Sequence, residues 1–211
     1  MTDGASGSPF RVALTIDTEH PDRPTATGVT TSILDTLAAG GVRATFFLQG
    51  RWVEAEPVLA ARIAGDGHLI GNHSHYHARL PLLTRKGLAR DVRDAEQAIV
   101  AATAVDPRPW FRCPFGAGQD DPRVVGALAQ LGYTDVAWDV DGLDWDGRSG
   151  RRLEDTVVTD TVDRGDGAVI LVHSWPRPTG EALPGIIARL RGHGASFVRI
   201  DELDRYRSAA A

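Results

Sequence analysis

Short apolar runs that end in a polar or acidic residue alternate along this chain with amphipathic helical stretches, and that alternation constrains the fold more than any other feature. Residues 11–16 run into Asp17, and residues 44–48 stop at Gly50. His68, Leu69 and Ile70 lead into Gly71-Asn72-His73-Ser74-His75-Tyr76-His77. Residues 109–111 enter the corner Arg112-Cys113-Pro114-Phe115-Gly116. Residues 134–138 end in the acidic stretch 139–146, residues 168–172 deliver His173 and Ser174, and residues 197–200 form a last run. Between them the spacing predicts helices over residues 29–37, 57–64, 84–102, 121–131, 153–162 and 184–190. In the third of these Leu88, Val92, Ala95 and Ile99 recur at helical spacing, with Arg90, Asp91, Arg93 and Asp94 assigned to the other faces.

Strand-then-helix units repeated this way imply parallel strands, because each crossover helix returns the chain to the same end of the sheet. Asp17, His73, Arg112, Asp144 and His173 all follow expected strands. In an open sheet those strand ends lie along a line, whereas in a β/α barrel they meet at one mouth. The 211 residues fall short of the roughly 250 of a complete eight-fold barrel. The expectation is therefore α/β: a distorted, shortened (β/α) barrel of about seven parallel strands, one domain over residues 10–207 behind a disordered Gly/Ser tail over residues 1–9.

A formal charge of −5 and the lack of any Lys/Arg run argue against nucleic acid as a partner. No basic-then-apolar leader and no apolar run of spanning length are visible, so the expectation is a cytoplasmic protein with no membrane partner. The single cysteine, Cys113, excludes an intrachain disulfide and a cysteine-rich zinc site. A metal would have to be held by His, Asp or Glu. Three of the seven histidines fall within residues 73–77, and on a helical turn His73 and His77 would face one cation together.

Taken in order, five clusters resemble the motifs of the NodB-homology polysaccharide deacetylases, the carbohydrate esterase family 4 fold, over about residues 10–205. They are Thr15-Ile16-Asp17-Thr18-Glu19, the histidine cluster 73–77, Arg112-Cys113-Pro114-Phe115-Gly116, Asp141-Gly142-Leu143-Asp144-Trp145, and Leu171-Val172-His173-Ser174. The usual first motif has a second Asp where this chain has Thr18. The Asp-x-Glu pattern resembles variant branches of the superfamily in which the acid two positions on takes the metal, and either Glu19 or Asp17 remains open as the carboxylate ligand.

The resemblance implies a hydrolase acting on carbon–nitrogen bonds other than peptide bonds, with a divalent metal, zinc first and cobalt, nickel or manganese as alternatives. It implies metal ligands Glu19, His73 and His77, a general base Asp17 oriented by Arg112, and a general acid His173 held by Asp144. Phe115, through its backbone N–H, and Trp145 would meet the acyl group of a small-molecule or oligosaccharide substrate. The expected reaction removes an N-acyl group, acetyl above all, from an amino sugar. An allantoinase-like hydrolase of a small cyclic or linear amide is the first alternative, and a catalytically silent carbohydrate-binding or scaffold module the second. On a helical turn His75 would point away from the ligand pair; His20, His68 and His193 are expected to be structural or exposed, and Cys113 buried filler. The sequence leaves the substrate and the oligomeric state undefined.

Overall fold

The structure is a computed structural model that describes residues 9–19 and 28–209. The expected tail falls outside the described residues up to position 8, as does His20. The elements run β1 (Phe10–Thr18), α1 (Val29–Gly40), β2 (Thr45–Leu48), α2 (Gly50–Ala55), α3 (Pro57–Gly65), β3 (Leu69–Asn72) and α4 (Arg85–Thr103). They continue as β4 (Trp110–Phe111), α5 (Pro122–Gln130), β5 (Thr134–Asp135), β6 (Val140–Asp141), α6 (Gly150–Arg164), β7 (Ala168–His173), α7 (Arg177–Gly192) and β8 (Ala195–Val198).

Every strand pairing is parallel. Seven strands form the path β5-β4-β3-β2-β1-β7-β6, and β8 pairs with β1 off that path. β7 takes one edge of β1 from Val12 to Asp17. The other edge is shared: β8 pairs with Phe10 to Ala13 and β2 with Thr15 to Thr18. The sheet curls into the distorted barrel expected from the alternation, and among the described residues β5 and β6 do not pair. The chain itself crosses that gap. Val136 N–H donates to the Phe111 carbonyl on one side, and Asp139 N–H to the Val169 carbonyl on the other. The strand expected over residues 134–138 is thus only two residues long, because the segment must leave β4 to reach β7.

The two-residue period of a strand separates two cores. Val12, Leu14 and Ile16 of β1, Phe46 and Leu48 of β2, and Ala168, Ile170 and Val172 of β7 face the helices. Ala13, Phe47 and Val169 point into the barrel with Trp110 and Val136, and Ile200 and Leu203 belong to the same interior cluster. Gly71 keeps this interior closed, since a Cβ there would come within 2.6 Å of the Phe47 ring.

Helix α4 matches its expected span closely. Thr84 caps it by accepting the Gly87 N–H, and Leu88, Val92, Ala95 and Ile99 are fully buried. Each of the larger three contributes about 1.5–3 kcal/mol of transfer free energy. Asp121 caps α5 through the Arg123 N–H with Pro122 in the first turn, as its sequence predicts. Helix α7 departs from expectation. It starts at Arg177, and Pro184 lies inside it. The proline forfeits one helical hydrogen bond, but the buried face of Thr179, Ala182, Leu183, Ile186, Ile187 and Leu190 holds the helix through it. No helix among the described residues is long and apolar enough to cross a membrane.

Candidate functional site

β1 organises the site through its alternation. Thr15 and Asp17 follow Ala13 into the barrel, and Glu19, two residues beyond Asp17, returns to the same side. Asp17 and Glu19 accordingly line one cavity. Thr18 faces the other way, bonded through its hydroxyl to the Phe47 carbonyl (3.4 Å) and the Gln49 N–H (3.3 Å). An Asp-x-Glu sequence therefore presents two carboxylates to the interior without any break in the strand.

The histidine pair converges by a different route from the expected helical turn. Residues 73–79 form no helix; Ser74 and His77 both adopt left-handed backbone, with φ of 63° and 55°. Local polar bonds hold that shape: Asn72 Oδ1 accepts the Ser74 N–H (2.8 Å), and Ser74 Oγ accepts the His77 N–H (3.0 Å). From α4, Asp91 accepts the N–H groups of His75 (3.2 Å) and Tyr76 (3.0 Å). Asp91 is therefore buried, not on an outer face as its neighbours suggested. Its carboxylate ties the loop down. The His75 side chain turns away from the pair, with Nε2 3.8 Å from Glu54.

His73 Nε2 and His77 Nε2 lie 3.2 Å apart, and His77 Nε2 is 3.0 Å from Glu19 Oε1. The donor atoms of Glu19, His73 and His77 all fall within 4.8 Å of one another, the one such cluster among the described residues. A tetrahedral zinc ion with bonds of 2.0–2.1 Å sets its donors roughly 3.3 Å apart, so the set fits one ion. The chemistry of the donors fits as well. His73 Nδ1 lies 2.9 Å from the Arg112 carbonyl, which fixes the proton there and leaves the Nε2 lone pair facing the cluster. Burial pulls the His73 pKa down to about 4, keeping the ring neutral.

Arg112 is fully buried. Its Nη1 donates to Thr15 Oγ1 (2.7 Å) and Asp17 Oδ1 (2.9 Å), its Nε to the Val136 carbonyl (3.0 Å), and its plane covers Phe47 at 4.1 Å. The other Asp17 oxygen is left 3.5 Å from His73 Nε2.

Across the cavity, Asp144 accepts both the backbone N–H and the Nδ1–H of His173, each at 2.7 Å, and the Thr179 hydroxyl. His173 Nε2 is thereby aimed at the cavity, 3.4 Å from Glu19 Oε1. Burial works against a charged imidazole at His173, but Asp144 and then Glu19 outweigh it and hold its pKa well above the ordinary value. Burial likewise disfavours the Glu19 carboxylate, and His173 and His77 override it, keeping Glu19 ionised far below the usual range.

The cavity encloses about 420 Å³, a volume suited to a small ligand. Phe115 and Trp145 wall it, both half exposed. Phe115 has a left-handed backbone (φ 58°) and sets its ring 4.4 Å from that of His77. Cys113 also lines the cavity, and burial raises its thiol pKa far out of reach, in keeping with filler. A more open groove of about 590 Å³ beside α2, α3 and α4 contains none of the converged groups.

The other histidines behave as expected where described. His68 accepts the Ala44 N–H at 3.0 Å in the core, and His193 follows the end of α7, exposed. Arg79, Trp138 and Trp175 were not anticipated. Arg79 and Trp138 line the cavity, and Trp175 Nε1 donates to Glu19 Oε2 at 3.2 Å. Only their closeness to His77, to the acidic stretch and to His173 in the sequence hinted at them.

A family model described as polysaccharide deacetylase matches residues 5–136. The peptidoglycan-N-acetylglucosamine deacetylase of Bacillus cereus is 33% identical over 196 residues, covering 91% of this chain and 67% of that protein. The peptidoglycan-N-acetylmuramic acid deacetylase PdaA of Bacillus subtilis is 30% identical over 179 residues, covering 83% and 66%. Among solved structures, a CE4 family pseudoenzyme from Bacillus anthracis superposes with a TM-score of 0.82 at 29% identity, over 93% of this chain and 66% of that one. The chain spans only 51% and 38% of two further curated relatives.

Proposed function

The chain belongs to the polysaccharide deacetylase family, the NodB-homology carbohydrate esterase superfamily, and on that premise we propose that it is a metal-dependent hydrolase that removes an N-acyl group, acetyl above all, from an amino sugar. The observation that carries this reading is the convergence, around one cavity lined by Asp17, Glu19, His73 and His173, of the Glu19–His73–His77 cluster with two oriented pairs, Asp17–Arg112 and His173–Asp144.

Glu19, His73 and His77 would hold the metal. When bound, a divalent ion such as zinc supplies an activated water and polarises the acyl oxygen. Arg112 fixes one oxygen of Asp17, so the other takes the proton of the attacking water. His173 carries a proton on Nε2 because Asp144 occupies its Nδ1 side, and it passes that proton to the departing amine. Trp145 and Phe115 confine the acyl group, and the Phe115 N–H, on its left-handed turn, stabilises the oxyanion.

The similarity to a pseudoenzyme favours a second reading, a silent module. Against it, all seven groups named above are present and mutually oriented. The names of the relatives, which act on peptidoglycan amino sugars, favour an amino sugar over a cyclic amide. The test is acetate release from N-acetylglucosamine oligomers, peptidoglycan fragments and cyclic ureides by chelated and zinc-reconstituted protein. Chelator-sensitive release from the amino sugars, restored by zinc or cobalt, is the expected result. No acetate from any N-acetyl amino sugar with stoichiometric metal bound would overturn the proposal.

A further inference from the structure

Among the described residues, one cation lining the cavity is not used by the chemistry above. Arg79 lies two residues past His77 and lines the cavity as an exposed residue. Its guanidinium covers the Phe115 ring at 4.4 Å, and the same ring stands edge-on to His77 at 4.4 Å. Arg79 is therefore held one aromatic ring away from the Glu19–His73–His77 cluster.

The backbone beneath it is fixed. Leu80 is fully buried, and Arg123 donates to the carbonyls of Pro81 (2.9 Å) and Leu83 (3.0 Å). The contact places the guanidinium over the ring and leaves its N–H groups unused, and among the described residues the Arg79 side chain makes no hydrogen bond or ion pair. Arg112 does not line the cavity: it is fully buried below it, with Nη1 on Asp17 and Thr15 and Nε on the Val136 carbonyl, and its unpartnered Nη2 is buried as well. Among the described residues, the other charged groups lining the cavity are the acids Asp17, Glu19 and Asp141 and the protonated His173, whose Nε2 faces Glu19 and serves as the acid above, while His73 is neutral.

A neutral amide needs no cation at this position. An anionic one, entering between acids, does. We propose that Arg79 selects substrates that carry a carboxylate beside the amide to be cleaved, so that the chain prefers an acidic N-acyl amino sugar to a neutral one. This rests on the amide-hydrolase reading and names its substrate class. The pre-stacked guanidinium offers a planar fork to a carboxylate without having to be ordered on binding.

The test uses a pair of ligands that differ only in charge: a disaccharide bearing the 3-O-lactyl carboxylate of muramic acid, and the same compound with that carboxylate amidated. Binding of the two deacetylated products, which do not turn over, is measured by calorimetry on zinc-loaded wild type, Arg79→Gln and Arg79→Lys. Wild type is expected to bind the carboxylate form about tenfold tighter, Arg79→Gln to lose that preference, and Arg79→Lys to retain part of it. An equal affinity of wild type for the two forms overturns the proposal, as does binding of neither. A preference that survives Arg79→Gln also overturns it, and so does an equal loss for both ligands, which would make Arg79 a structural prop for Phe115. Acetate release from the N-acetylated forms is followed in parallel. Carboxylate-dependent binding without any release would retire the hydrolase reading and leave the assignment of Arg79 standing.

Discussion

Removing the Arg112 side chain should unbalance the site more than it disturbs the packing, and a double-mutant cycle separates the two effects. Arg112→Met keeps most of the stem but leaves Asp17 with no cation, and the paired side chains are 0% and 3% exposed at an N–O distance of 2.9 Å. Charges about 4 Å apart at an effective dielectric near 20 attract by about 4 kcal/mol. Breaking a buried pair from one side costs about 3–5 kcal/mol because the remaining charge stays desolvated. For a chain of this size that corresponds to a fall in Tm of roughly 6–20 °C. Asp17→Asn strands the guanidinium instead, with the partial relief of the Phe47 face and the Val136 carbonyl. In Asp17→Asn/Arg112→Met neither position carries a buried charge any longer. The double variant should therefore be more stable than the sum of the single losses by about 2–3 kcal/mol. The assay is urea unfolding with chelator present, so that no cation substitutes for the arginine. A coupling below about 0.5 kcal/mol would show that Arg112 stabilises through packing alone, and the charge argument would fail.

The two carboxylates of β1 should separate cleanly: Glu19→Gln is expected to weaken zinc affinity by at least about a hundredfold, whereas Asp17→Asn keeps the zinc and loses about 10²–10⁴ in kcat. Calorimetric zinc titration of both variants checks this, and the reverse pattern would exchange their roles. Asp91→Ala frees two loop N–H groups from a charged acceptor and should cost about 2–3 kcal/mol in urea unfolding together with a measurable loss of zinc affinity; unchanged zinc affinity would show that the loop holds its shape without α4. Burial lowers the His68 pKa to about 4 against an ordinary 6.5, so its neutral form stabilises the fold above the unfolded value and that contribution is lost as pH falls toward the folded one. Between pH 7 and pH 5 this amounts to about 1–2 kcal/mol, read as the difference in pH dependence between wild type and His68→Asn, and parallel curves would refute it.

The fold was legible where a period carried it. Leu88, Val92, Ala95 and Ile99 mark α4 because helical spacing makes a buried stripe, and the runs ending in Asp17 and His173 mark β1 and β7 because apolar strands must be covered on one face at least. The five polar corners were legible as a set because parallel strands bring their C-terminal ends together. What escaped depended on single side chains reaching across the sequence. The left-handed turns at Ser74 and His77 come from bonds to Asn72 and Ser74, and Asp91 acts from another element entirely. Helix α2 was missed because Gly50 reads as a strand boundary. The structure uses it for close approach, since a Cβ there would meet Ala95 Cα at 2.9 Å and His75 Nδ1 at 2.3 Å. Arg79 carries no pattern at all, and its meaning comes only from the ring it covers.

The shared edge of β1 also sets an order of events for the chain as it is made. β1 emerges first, but of its partners only β2 follows soon after; β7 and β8 pair with it across some 155 to 185 positions of sequence. Contacts that distant delay folding, because the intervening chain must be confined before they reward it. Until β7 arrives, β1 has a bare edge, and Asp17 lacks the strand that brings His173 opposite it. The histidine loop and β2 can assemble beforehand, so half of the cavity is able to form early while the other half waits for almost the last strands. A nascent or partly unfolded chain would then be able to hold a metal ion well before it could carry out hydrolysis, and activity would report completion of the barrel where metal binding would not.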